Sequence, residues 1–131
     1  MPKIYDEFVV LKPDLHMDQI AVSPELYEQL DTDYGDFRSH TLISAHQFTE
    51  DWPTWEIHPN GDEMVVLLSG RAVFVLKRDS GEESTELSIP GSFVIVPRGC
   101  WHTARISEPT NMMFITPGEG TLNETTPPET A

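Results

Sequence analysis

Glu56 and His58 stand two residues apart in a short run of β-forming residues. Side chains alternate between the faces of a strand, so this carboxylate and imidazole project together while Trp55 and Ile57 project the other way. The turn Pro59-Asn60-Gly61-Asp62 follows, and Glu63 opens the next run. If the two strands are antiparallel neighbours, the Glu63 carboxylate returns to the same face. His102 opens a further strand after Pro97-Arg98-Gly99. Two imidazoles and two carboxylates converging inside a barrel would suit a divalent transition metal with open coordination positions, because such donors accept Fe, Mn, Ni, Co or Zn. Spacing alone leaves a second reading open, since polar residues in strands are commonly exposed or merely hydrogen-bonded.

The elements that must position these residues are short and numerous. β-Type residues recur over 37–48, 54–58, 63–69, 71–77, 83–88, 92–96, 101–106 and 111–116, with a further β-rich segment from Ile4 to Leu11. The breaks between them carry Gly, Pro, Asn or Asp, residues suited to turn conformations. Ser23-Pro24-Glu25-Leu26 offers an N-cap serine, a proline at the first helical position and an acid in the first turn, predicting a two-turn helix to about Leu30. Many short strands at this spacing predict an all-β sandwich or barrel. We divide the chain into an N-terminal strand, helix and loop (1–36), a barrel (37–116) and an acidic, Pro-rich tail (117–131) expected to be mobile from Asn123 onward. Val65, Leu67, Val73, Val75, Phe93 and Ile95 are read as lining one face, and Val66, Leu68, Phe74, Leu76, Val94 and Val96 the other. Strands apolar on both faces imply a second covered surface, and a homodimer is the simplest cover.

The segment from Glu56-Ile57-His58 through Glu63 to Gly70 closely resembles the first sequence motif of the cupin superfamily, in which two histidines, a glutamate and a closing glycine stand at these intervals. Gly91, Pro97, Gly99 and His102 similarly resemble the glycine, proline, glycine and histidine of the second motif, and 20 residues separate Gly70 from Gly91. The resemblance implies a double-stranded β-helix, the cupin jelly-roll barrel, often dimeric, with His58, Glu63 and His102 as metal ligands. Glu56 departs from the pattern, standing where the family usually has its first histidine, and Ile106 stands where the second motif often ends in asparagine. A carboxylate in place of an imidazole adds negative charge and a harder donor, which shifts preference toward ions such as Fe or Mn. Glu56 also has a reading as general acid or base, because two carboxylates in a poorly solvated barrel repel and raise a pKa unless a cation sits between them.

The function that follows is a metal-binding cupin, holding Fe, Mn, Ni or Zn, that acts on a small molecule as a dioxygenase, decarboxylase or isomerase. The alternatives are a ligand-binding or sensing module without turnover, and an interaction scaffold with a vestigial site. Eight Lys and Arg against 22 Asp and Glu give a net charge of -14, which repels phosphate backbones and anionic headgroups and argues against nucleic-acid and membrane-surface roles. Cys100 is the single cysteine, so no internal disulfide forms, and with no apolar run of signal length in Met1 to Leu11 a cytoplasmic protein is expected. Arg38, His40 and His46, read as sharing one face of a strand, either line the pocket mouth or face water. Cys100 reads as a quiet packed thiol. Trp52, Trp55 and Trp101 read as barrel and interface packing, with substrate stacking as the alternative.

Overall fold

Short alternating strands, punctuated by Gly and Pro turns, stack into two antiparallel sheets. The computed structural model describes residues 1–126, in the order β1 (Glu7–Leu11), β2 (Met17–Ala21), α1 (Leu26–Asp33), β3 (Thr41–Phe48), β4 (Trp55–Ile57), β5 (Glu63–Ser69), β6 (Ala72–Arg78), β7 (Gly81–Leu87), β8 (Phe93–Val96), β9 (His102–Ile106), β10 (Thr110–Thr116) and β11 (Leu122–Glu124). One sheet has the order β2-β1-β3-β10-β5-β8 and the other β11-β4-β9-β6-β7. This is the all-β jelly-roll barrel with a short N-terminal helix that the sequence predicts. No helix among the described residues is long and apolar enough to cross a membrane.

The core is sorted by parity, and the sorting differs from the sequence expectation. In β5 the inward residues are Glu63, Val65 and Leu67, whereas β6 turns Ala72, Phe74 and Leu76 inward, so the parity switches across the turn at Gly70. Val65 and Leu67 therefore pack with Phe74, Leu76, Val94 and Val96 in one cluster. Phe93 and Ile95 face outward and are exposed, against the expectation that they join Val65 and Leu67. They extend two apolar rows on the outer face of the six-stranded sheet, Ile43-Ile115-Met64-Ile95 and Ala45-Met113-Val66-Phe93. A second cluster, with Phe8, Ile20, Leu26, Leu30, Phe37 and Leu42, closes the N-terminal side.

Four local expectations are corrected. The helix begins at Leu26 and runs to Asp33, with Glu25 at the N-cap position and no side-chain cap; Leu26 N instead donates to Ser23 O at 3.1 Å, so Ser23 and Pro24 belong to a preceding turn. The strand expected from Phe37 starts at Thr41, because Asp36, Phe37 and Ser39 have φ of 58°, 58° and 61° and coil the chain so that Phe37 plugs the second cluster. Met17–Ala21 is a strand that periodicity does not announce: it hairpins onto β1 and buries only Ile20. The supposed tail continues as β11, paired with β4 through Leu122↔Ile57, Asn123↔Glu56 and Glu124↔Trp55. Ladder hydrogen bonds hold it to the sheet edge although its three residues bury nothing. Residues 127–131 of the expected tail lie outside the described residues.

Gly70, at φ +86°, has no room for a side chain: an added Cβ would run into the Pro109 carbonyl and lie 2.6 Å from Thr110 Oγ1. That hydroxyl accepts from Arg71 N and donates toward Arg71 O, knitting the β5–β6 turn to β10. Gly70→Ala should therefore cost well over about 1 kcal/mol. Gly35→Ala, at φ +57° with nothing within 4 Å, should lose only the left-handed backbone penalty of roughly 1 kcal/mol. Thermal melts of both variants test this, and equal Tm values would mean that the Pro109–Thr110 segment yields freely.

Candidate functional site

Register brings the four donors together. Glu56 of β4 lies opposite His102 of β9, so both point into the barrel from the five-stranded sheet. His58 follows the last residue of β4 and keeps the parity of Glu56, while Glu63 opens β5 on the other sheet, opposite Val96. One ligand atom from each of Glu56, His58, Glu63 and His102 lies within 4.8 Å of all the others. The His58, Glu63 and His102 side chains are 4%, 2% and 0% exposed, against 27% for Glu56, which makes Glu56 the group that solvent or a ligand reaches.

Two turns hold this arrangement by gripping each other. Gly99 N donates to His58 O at 3.0 Å, Arg98 N to Asp62 Oδ1 at 2.8 Å, and Arg98 Nη2 to Asn60 O at 3.0 Å. The segment after β10 then straps over them. Asn60 Nδ2 donates to Glu119 O at 2.9 Å, and Gly61 sits so close to Pro117 that an added Cβ would lie 2.8 Å from its Cγ. Thr121, missed by the sequence reading because it falls in the supposed tail, places its Oγ1 2.8 Å from His58 Nδ1. Thr116, also missed, donates to Glu63 Oε2 at 2.6 Å.

These contacts fix the protons. Thr121 Oγ1 donates to Gly118 O at 2.9 Å, so it accepts from His58, whose Nδ1 carries the hydrogen. His102 Nδ1 lies 3.0 Å from the Cys100 carbonyl, which only accepts, so this Nδ1 is protonated too. When either ring is neutral, its Nε2 lone pair is left facing the carboxylates. His58 Nε2 lies 2.9 Å from Glu56 Oε1 and 3.2 Å from Glu63 Oε2, and His102 Nε2 lies 3.2 Å from Glu63 Oε1 and 3.9 Å from Glu56 Oε1. Yet His58 Nε2, His102 Nε2 and Glu63 Oε1 are buried without an aligned hydrogen bond. Lone pairs turned on one another in a dry site repel, and a cation among them removes the repulsion.

With no cation, protons do part of that work. Burial pulls the His58 pKa down, but the adjoining Glu56 and Glu63 carboxylates outweigh it and push the ring up to about 9. Burial likewise raises Glu63, but hydrogen-bonding contact with His102 and His58 brings it down to about 2. A proton on Nε2 serves one acceptor at a time, whereas a divalent ion meets two imidazole nitrogens and two carboxylate oxygens together. The donor set fits such an ion, with hydrogen-bonded second partners on both imidazoles and on Glu63 of the kind that orient metal ligands.

The cluster forms the floor of an open cavity of about 1140 Å³. Phe48, Trp52, Phe114 and His46 give it an aromatic wall, and Tyr27 from α1 stands at its mouth. Of the three residues read as one strand face, only His46 lines the cavity. Its ring packs edge-on against Phe8 and Phe114, and burial lowers its pKa against a smaller upward pull from Glu56. Arg38 and His40 precede β3, with His40 Nδ1 2.7 Å from Arg38 O and its ring against Tyr34 and Phe37, so they share no strand face with His46. Trp52 packs on Phe48, Phe74 and Phe114. Cys100 is buried, its thiol is raised by burial, and its Sγ points at the Lys77 carbonyl, as a packed thiol does.

No protein-family model matches the sequence, and no curated protein matches it. Solved structures do share the fold. An oxalate oxidase matches with a TM-score of 0.54 at 15% identity over 63% of this chain, which spans 45% of that protein. A cupin-2 domain containing protein from Shewanella frigidimarina matches with a TM-score of 0.51 at 21% identity, covering 59% of this chain and 70% of that one. Hydroquinone 1,2-dioxygenase from Sphingomonas sp. TTNP3, with 4-hydroxybenzoate bound, matches with a TM-score of 0.50 at 17% identity over 58% of each chain. Shared architecture at such low identity, with both motif turns seated at one end of the barrel, shows that this chain has the cupin fold.

Proposed function

We propose that the protein binds one divalent transition ion, Fe, Mn, Ni or Zn, through Glu56, His58, Glu63 and His102, and uses it on a small organic molecule admitted by the cavity. The observation that carries this reading is the pair of buried Nε2 atoms, both turned on carboxylates by Nδ1 hydrogen bonds and neither with an aligned hydrogen-bond partner. Such an ion supplies Lewis acidity toward the small molecule and, for Fe or Mn, one-electron chemistry. Thr121 and the Cys100 carbonyl hold the two imidazoles in the ligating tautomer, and Thr116 holds Glu63 by Oε2 so that Oε1 stays free. Glu56, the most exposed of the four, accepts or returns a proton at the cavity floor if it is not committed to the ion. Oxidation, decarboxylation and isomerisation are the reactions this arrangement suits. The oxidase and dioxygenase names among the fold neighbours support the first of these. A binding or sensing role without turnover is the second reading, favoured by the carboxylate at position 56.

Three measurements test this reading. Elemental analysis of protein purified without tag or chelator should find near-stoichiometric Fe, Mn, Ni or Zn, and the double variant His58→Ala/His102→Ala should lose it while keeping a β-rich circular dichroism spectrum. Unchanged metal content in that variant would sink the assignment. Thr121→Val leaves every ligand in place but frees the His58 ring, so metal affinity from competition with a chromophoric chelator should fall about 10- to 100-fold. An unaltered affinity would mean that packing alone orients His58. Glu56→His should tighten metal retention if Glu56 is a ligand. Retention equal to wild type would assign its carboxylate to proton transfer instead.

A further inference from the structure

Charge distributes unevenly around the cavity. Among the described residues its walls contain no lysine or arginine, while Asp31, Asp36, Glu50 and Asp51 stand exposed at its rim. The floor adds no positive charge. Two carboxylates balance a divalent ion and both imidazoles are neutral as ligands, so a loaded centre of this composition carries no net charge. A three-imidazole, one-carboxylate set would leave it with one positive charge. His46, the remaining imidazole in the wall, is shifted toward its neutral form by burial. Between rim and floor the wall carries an aromatic cluster, Phe48, Trp52 and Phe114 in mutual contact, and its polar groups, such as Ser44, Gln47 and Thr49, are uncharged. The unpartnered polar atoms of His58 and Glu63, both more than nine-tenths buried, belong to residues lining the same space.

From this we infer that the cavity takes a planar aromatic or apolar molecule that is uncharged or cationic, and discriminates against carboxylates and phosphates. The inference rests on the proposed metal centre for the neutrality of the floor, and on the cavity walls alone for the rest. An anion entering here meets the rim carboxylates with no cation of the protein to pair with, and loses hydration against aromatic walls. A cation is drawn by the rim and can settle on aromatic faces, and an uncharged ring gains the same stacking without the electrostatic term.

A series that varies charge at one position of a single ring tests it. Tyramine, 4-hydroxybenzyl alcohol and 4-hydroxyphenylacetate present a cation, a neutral group and an anion on the same phenol. Calorimetric titration of zinc-reconstituted protein at pH 7 and low salt should show the first two binding at least tenfold more tightly than the third. The variant Asp31→Asn/Asp36→Asn/Glu50→Gln, which alters only the rim, should shrink the advantage of tyramine over the carboxylate severalfold. Carboxylate binding as tight as tyramine binding, or no binding by any of the three, would overturn the inference. The same titrations on zinc-free protein separate it from the metal reading. A charge preference kept by protein that fails to take up zinc supports the cavity inference while removing the metal centre. Stoichiometric zinc without any charge preference leaves the centre standing and refutes the inference.

Discussion

Two carboxylates and two imidazoles are confined to one end of an apolar barrel, and their mutual repulsion must be relieved there. The surrounding structure answers to that requirement. The grip between the 59–62 and 97–99 turns fixes the separation of the two sheets where the donors meet. The hydrogen bond that Thr116 donates to Glu63, and those that Thr121 and the Cys100 carbonyl accept from the two imidazoles, then decide which atoms face inward. Removing one such bond would leave the donor present but free to turn, so the threonines, though not among the four donors, set the geometry of the cluster.

The four donors were legible in the sequence because each lies beside a turn whose chemistry is local. Glu56 and His58 share a face by strand parity alone, and Glu63 and His102 open strands directly after Gly- and Pro-bearing turns. What escaped was non-local. Thr121 reaches His58 across 63 positions, and nothing in Thr121-Leu122-Asn123-Glu124 marks it as a strand, since it is held by ladder bonds and buries no side chain. Inward parity in β6 and β8 depends on how each turn rotates the chain, so strands apolar on both faces carry no signal of which side is core. The left-handed residues Asp36, Phe37 and Ser39 defeat strand propensity because burying Phe37 in the second cluster outweighs their backbone cost.

Function divides along the same line between floor and walls. The floor is set by the turns and strand parities that bring four donors together. The walls come from other elements: α1 and the coil after it contribute Tyr27, Asp31, Asp36 and Phe37, and β3 contributes His46 and Phe48. The proposed chemistry and the inferred selectivity thus draw on separate sets of residues, so either can change while the other persists.

The strap gives the site a route to opening that no ligand controls. β11 is a three-residue edge strand, exposed along its length, and Thr121 immediately precedes it. Short edge segments with few buried contacts are the first to fray, at a cost far below global unfolding. Each such excursion unlatches His58 while the rest of the barrel stays folded. The lifetime of anything coordinated by that imidazole would then follow the fraying of β11, a kinetic property that equilibrium affinity alone does not report.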